Sequence, residues 1–285
     1  MKIAVIVDSA SDYYNQDIQL EGLYAIPLQI IEGEEAHLES VEISNDQVNN
    51  LMIREKELKT SLPVLGMIED LFKNIKEDGY DQVFAVPITT GISGTLDAMR
   101  SAALFTDMRF DSFDCFTAMH IELDCAIAAR KLFDKGYNVE IVKQRLSDAV
   151  SNSDTYIIPN DLAHLARGGR LSPMAAKLGG LLKIKPILHL NKDTEGIIDP
   201  FAKVRTMTKA IDTVIDDMEN AGVDETYTLT LVDVNAPEEL EKTEAKLKER
   251  FPNTPITVTQ LISTVSVHVG IGSIAIQYMK NIDLS

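Results

Sequence analysis

Three short stretches of this chain carry residues whose types and spacing can hold a small anion. Thr60-Ser61-Leu62-Pro63 places two hydroxyls ahead of a proline, which bends the chain and bars a helix at the residue before it. Thr89-Thr90-Gly91-Ile92-Ser93-Gly94-Thr95 stands between an apolar run and a helical pattern, so Ser93 and Gly94 fall at an expected helix start. Free N–H groups and the helix dipole favour an anion there. The third stretch, residues 166–186, reads ARGGRLSPMAAKLGGLLKIKP. Its glycine pair, Gly168-Gly169, is followed by Arg170, then by Ser172-Pro173, a helix-start signal. Such a segment can close over a ligand headgroup or make a tight junction. Each stretch also has a plainer reading: a turn for Thr60-Ser61, an N-cap for Ser93, and a loop entering a buried helix for residues 166–186.

A fourth candidate is His268, which sits in a mostly apolar run at 265–269. It is either a satisfied core histidine or a donor to a carboxylate. Behind it, Gly270-Ile271-Gly272-Ser273-Ile274-Ala275 matches a dinucleotide fingerprint. No further strand and no acidic residue some 20 positions on follow it, so the glycines are better read as points of close backbone approach. The serine-hydrolase elbow GxSxG fails because Thr95 occupies its fifth position. There is no CxxC, HExxH or Walker A motif, so the chain is expected to hold neither a metal nor ATP. Helices expected at 98–105 and 175–182 are rich in small and apolar residues and are candidates to line an apolar cavity, or simply core.

The bulk properties narrow the classes further. With 285 residues the chain is long enough for two domains, and its 45% hydrophobic and 25% charged residues are ordinary for a folded protein. A formal net charge of −17 argues against nucleic acid and against anionic membrane surfaces as partners. Cys115 and Cys125, the only cysteines, read as small buried residues rather than a disulfide framework. The apolar run at 3–7 is too short for a signal-peptide core, and no run approaches membrane-spanning length, so a cytoplasmic protein is expected.

These residues must be positioned by alternating elements. Strands are expected at 3–7, 23–30, 83–88, 112–116 and 155–158, with helices at 93–105, 121–134 and 138–149, which predicts an α/β unit with a mostly parallel sheet. Past the glycine segment, strands at 186–190 and 196–200 pair around a polar turn. A helix follows at 203–219, a strand at 227–233, a helix at 237–250 and a strand at 256–262. The expected architecture is an N-terminal three-layer α/β/α domain, residues 1–160, and a smaller C-terminal α+β domain, residues 161–285. A ligand would lie between them, and no flexible linker separates the two.

Taken in order, the motifs resemble those of the DegV family of bacterial fatty-acid-binding proteins. They are VDSASD at 7–12, AIPLQI at 25–30, TSLP at 60–63, TTGISGT at 89–95, residues 166–188, VRTMTKA at 204–210 and SVHVGIGSIAI at 266–276. The resemblance implies one long-chain fatty acid, such as palmitate, stearate or oleate, buried between the domains. Its carboxylate would meet Thr60, Ser61, Ser93, Gly94 and His268. Gly168, Gly169 and Arg170 would lie near the pocket, and Arg205 would meet a partner or a phosphate. The resemblance also implies no turnover by the chain alone, with membrane contact at most transient. A separate ATP-binding fatty acid kinase subunit would form the acyl phosphate, in phospholipid metabolism. A stand-alone hydrolase using Ser93 and His268, or a carrier of another amphipathic acid, are the alternatives. The chain departs from the family pattern at Leu62, Val64, Ile271 and in Asp114–His120.

Overall fold

The computed structural model describes residues 1–177 and 184–285. Its first layer is a four-stranded, all-parallel sheet of β1 (Ile3–Asp8), β2 (Leu23–Ile26), β6 (Gln82–Ala85) and β7 (Arg109–Ser112), in the order β2-β1-β6-β7. Strand β1 shows why the sheet is sandwiched. All six of its residues are buried, with alternate residues facing opposite ways. Ala4 and Ile6 pack with Ile68 and Phe72 of α2 (Leu65–Glu77) and with Met99 of α3 (Thr95–Phe105). Ile3, Val5 and Val7 pack on the other side with Ala129 of α4 (His120–Asp134) and Leu146 of α5 (Val139–Val150). This is the expected three-layer α/β/α arrangement.

The second large sheet has six strands in the order β10-β9-β8-β13-β11-β12. They are β8 (Ser153–Ile158), β9 (Lys185–Leu190), β10 (Asp199–Val204), β11 (Tyr227–Asp233), β12 (Ile256–Gln260) and β13 (Ile274–Lys280). One face is covered by α8 (Met207–Asn220) and α9 (Pro237–Arg250) through Ile211, Val214 and Leu247. Its other face meets the first layer: Ala10, Leu28, Ile88 and Ala118 pack against Ile157, Leu188, Val232 and Ala275. A third sheet, β4-β3-β5, is antiparallel and built from β3 (Gln29–Glu32), β4 (Glu35–Leu38) and β5 (Leu58–Ser61), with α1 (Asn45–Ile53) between β4 and β5.

Several expectations need correction. The strand expected at 155–158 does not join the parallel set; β8 pairs antiparallel with β13 and β9. Local periodicity cannot choose a strand's partners, and β13 lies more than 100 residues away. The single strand expected at 23–30 is two strands in different sheets, split at Pro27, which has no N–H for a ladder. The second strand of the hairpin starts at Asp199 rather than Gly196, and Lys203 and Val204 extend it instead of opening a helix. The 186–190 strand is found almost as expected. Of the helix expected at 175–182, the described residues include α7 (Pro173–Ala176), capped by Ser172 as anticipated. Its continuation falls outside the described residues.

One buried acid fastens the frame. Asp8 ends β1 fully buried, and its carboxylate accepts from Ala10 N at 2.9 Å and Ile88 N at 3.0 Å. It thereby ties β1 to the loop that carries Ser93. Burial pushes the Asp8 carboxyl up to about 7. A carboxyl raised in the folded state favours folding below its unfolded value, and that contribution is lost as pH rises through about 7. The unfolding free energy of the parent relative to Asp8→Asn is therefore expected to fall by about 4 kcal/mol between pH 4 and pH 8. Denaturant titrations of both chains measure it, and a pH-independent difference would contradict it.

Candidate functional site

Between the two large sheets lies a cavity of about 270 Å³. One side of it is polar: Thr60, Ser61, Ser93, Gly94, Arg170 and His268 all line it. The other side is apolar, with Leu28, Ile88, Ile92, Leu165, Ile198 and Val269. A smaller, mostly apolar annex of about 40 Å³ shares Ile92, Ile198, Val265 and Val269 with it and is also lined by Thr117, Thr155 and Gln277. The void therefore has both polar and apolar walls, which suits a ligand with a polar head and an apolar tail.

The polar side is assembled from four separate parts of the fold, Arg170 coming from the glycine segment. Thr60 and Ser61 come from β5, which pairs with β3 in the small sheet. Ser93 and Gly94 come from the turn after β6. That turn is held by Thr89 N, which donates to Thr117 O at 2.9 Å, and by Ile92 N and Ser93 N, which donate to Thr89 O. Gly94, not Ser93, holds the N-cap position of α3. The Ser93 hydroxyl lies 2.8 Å from Thr95 Oγ1 and accepts from Thr95 N at 3.3 Å. His268 comes from α10 (Ser263–Val269), and its Nε2 lies 2.8 Å from Thr60 Oγ1. Such neighbours are hard to infer from spacing alone, since Thr60 and His268 are 208 positions apart.

The glycine segment packs directly on this histidine. A Cβ on Gly168 would stand 2.8 Å from His268 Nδ1, too close for any side chain. Gly169 has φ +71°, a left-handed turn that lets the chain double back. The Arg170 guanidinium donates to Gly168 O and faces the cavity. On the far side, His164 donates through Nε2 to Val267 O at 2.8 Å, and its ring lies where a Cβ on Gly270 would sit. The glycine after His268 is thus a point of close approach, as read from the sequence, with His164 as the group approached. Burial, with Arg170 and His164 adding positive charge, holds His268 down to about 4. At neutral pH the ring is uncharged.

Thr60, Arg170 and His268 also line a second, wider cleft of about 880 Å³. Lys56, Lys59 and Arg167 belong to that cleft, alongside Glu55 and Glu57. These three shared residues form the wall between the apolar cavity and the more basic cleft.

Other expected residues fall elsewhere. Arg205 is exposed between β10 and α8 and lines neither void. Gly169 lines neither, although its neighbours do. No residue of 98–105 lines the cavity. Met99, Ala102 and Ala103 pack in the core on the far side of the parallel sheet, because the amphipathic face of α3 is turned to α2. A serine-histidine pair for hydrolysis is not assembled. Ser93 Oγ is engaged by Thr95, His268 Nε2 by Thr60, and among the described residues no carboxylate bonds His268. Sequence reasoning missed the walls Leu28, Ile198 and Val265, which look like ordinary strand and helix core, and Thr264, whose hydroxyl sits beside them.

The depressed titration of His268 is open to direct measurement. In the ligand-free protein its ring is expected to titrate near 4, and an anion bound at the cavity's polar side is expected to raise that value. Histidine-selective NMR across pH 3–8, with and without palmitate, checks both. A ligand-free value at or above the ordinary 6.5 would contradict the burial seen here.

Comparison with known proteins finds relatives that match along nearly the whole chain. The family model described as "Uncharacterised protein, DegV family" matches residues 2–281. The chain is 30% identical over 286 residues to the protein DegV of Bacillus subtilis, covering 97% of this chain and 98% of that one. The solved structure of that protein, a fatty acid binding protein, superposes with a TM-score of 0.84 at 28% identity, covering 98% and 99% of the two chains. A fatty acid binding DegV family protein from Streptococcus agalactiae gives 0.87 at 25% identity, over 98% and 99%. The Fatty Acid Kinase (Fak) B3 protein of Streptococcus pneumoniae, loaded with linoleic acid, shares the fold, with a TM-score of 0.80 at 20% identity over 99% and 100%. A match to the family model along nearly the whole length, on a fold shared with solved relatives, places this chain in the DegV family.

Proposed function

We propose that this protein binds one long-chain fatty acid and presents its carboxylate to a separate ATP-binding kinase subunit. The observation that carries this reading is the shared wall of Thr60, Arg170 and His268. It has an apolar cavity on one side and a cleft with four cationic residues on the other. The acyl chain runs past Ile92, Ile198 and Val265 toward the annex, and the carboxylate stays at Thr60, Ser61, Ser93 and His268. Hydroxyls and an uncharged imidazole hold it by hydrogen bonds, so one oxygen keeps its nucleophilic lone pair. That oxygen attacks the γ-phosphorus of ATP held by the partner. The new bond is carboxylate oxygen to phosphorus, the bond from the γ-phosphorus to the β,γ-bridging oxygen breaks, ADP leaves with that oxygen, and an acyl phosphate results. The chain alone performs no turnover and works in the cytoplasm. That solved relatives from Streptococcus agalactiae and Bacillus subtilis are fatty acid binding proteins supports the ligand class.

Two outcomes follow. Protein purified under native conditions is expected to release a long-chain fatty acid on denaturation, seen by mass spectrometry. Ser93→Ala is expected to weaken palmitate binding by about 1–3 kcal/mol, as a buried charged acceptor loses a donor. Released lipid absent, with no uptake of added palmitate or oleate, would remove the reading.

Arg170 and Arg205 separate binding from presentation. Arg170→Ala is expected to cut kinase-dependent phosphorylation more than palmitate affinity, because a guanidinium at the wall meets a phosphate bidentately. Arg205→Ala, on an exposed position, is expected to change only the partner-dependent step. Full phosphorylation in both variants, or loss of acid binding first, would show that neither serves the partner.

A further inference from the structure

The helix that carries His268 does not cap itself. Ile262 precedes α10 and has no side chain able to accept, and seven residues are too few to hold a helix by their own hydrogen bonds. The first amides of the helix are satisfied from far along the chain instead. Ser263 donates to Asn45 Oδ1 through its N at 3.1 Å and its Oγ at 2.7 Å. Thr264 donates to Glu39 through both its backbone N and its hydroxyl, the hydroxyl at 2.5 Å. Asn45 opens α1 and Glu39 follows β4, so both acceptors belong to the small-sheet region that also supplies Thr60.

Glu39 is the more unusual of the two. It is fully buried, and among the described residues no lysine, arginine or histidine pairs with it. Its other partner is Ser9 Oγ, at 2.5 Å, which in turn accepts from Leu28 N at 2.9 Å. Leu28 and Thr264 both line the cavity. One carboxylate therefore joins a wall from the parallel-sheet side to the start of the helix bearing His268. Burying a carboxylate without a cation is costly even when it is hydrogen-bonded, and Asp12 nearby adds to the cost. Packing alone would be served as well by an apolar side chain.

We propose that Glu39 is a positioning residue for His268: by holding Thr264 it sets the first turn of α10 and so keeps the imidazole against Thr60. Asn45 assists through Ser263. This rests on the reading of His268 as part of the carboxylate site. It assigns to the small sheet a role in shaping that site from the opposite end of the histidine's helix.

The test compares Glu39→Ala and Glu39→Gln with the parent by histidine-selective NMR and by palmitate binding. In Glu39→Ala the His268 titration is expected to move from about 4 toward the ordinary histidine value as the ring leaves its buried place. Palmitate affinity is expected to drop about 10-fold or more, roughly the effect of a lost hydrogen bond to a charged group. His189, in β9 and bonded to Asp154, should keep its titration. Glu39→Gln is expected to restore both readouts. Its amide oxygen can accept from Thr264 N, while the Ser9 and Thr264 hydroxyls turn to accept from its NH₂. A Glu39→Ala protein that melts earlier but keeps the His268 titration and palmitate affinity within twofold would overturn the proposal, leaving Glu39 a purely structural acid. Should Glu39→Ala not fold, Asn45→Ala is expected to shift His268 in the same direction by less, and an unmoved His268 there would overturn it equally. A parent that binds no palmitate would defeat the functional reading alone, since the His268 titration is read without ligand.

Discussion

A single hydrogen bond, Thr60 Oγ1 to His268 Nε2 at 2.8 Å, is the point on which this site turns. It joins the small antiparallel sheet to a helix at the other end of the chain. Such a bond contributes only about 0.5–1.5 kcal/mol net, too little to bring the two parts together by itself. They are brought together by apolar packing, in which Ile30 of β3 and Val48 of α1 meet Val267 of α10, and the bond is made beside that contact. Everything else near His268 respects its ring. Gly168 has no Cβ to strike it, and Arg170 turns back onto the carbonyl of Gly168.

The electrostatics of the frame and of the site run in opposite directions. The chain carries an excess of 17 negative charges, yet the cleft beside the polar end of the cavity gathers Lys56, Lys59, Arg167 and Arg170. Overall charge governs solubility and nonspecific attraction, while local charge decides which group is tolerated at a wall. A fixed cation touching the headgroup would lock a carboxylate in a salt bridge. Here the polar end of the cavity is lined by hydroxyls and an imidazole kept neutral by burial, with Arg170 alongside.

Buried acids at the carboxyl end of the parallel sheet hold the loops that carry these groups. Asp8 accepts from Ile88 and Ala10, and Glu39 from Ser9 and Thr264. Glu122, buried in α4, takes only a long contact from Asp8 N at 3.4 Å, and burial raises its carboxyl well above the usual range. Side-chain carboxylates serve here where secondary structure cannot. Loops at the ends of strands leave N–H groups unpaired, and each must find an acceptor once it is buried.

Much of this was legible in the residues themselves. The runs of apolar residues marked β1, β2 and β6 and the helices α3, α4 and α5, because burial on both faces leaves a period that a window of sequence shows, whereas β7 lies at Arg109–Ser112 rather than 112–116 and α2 was not foreseen. Ser172-Pro173 announced its cap correctly, since capping is local chemistry. The ordered motifs pointed to Thr60, Ser93, Arg170 and His268, all of which line one cavity. Tertiary structure alone decided three things. It sent β8 into the six-stranded sheet, since a strand's own pattern does not name its partner. It turned 98–105 away from the cavity while bringing Leu28, Ile198 and Val265 to it, because one apolar side chain looks like another until the layers are stacked. And it placed Glu39 against Thr264, 225 positions on, a contact that exists only when both segments are folded onto the same buried joint.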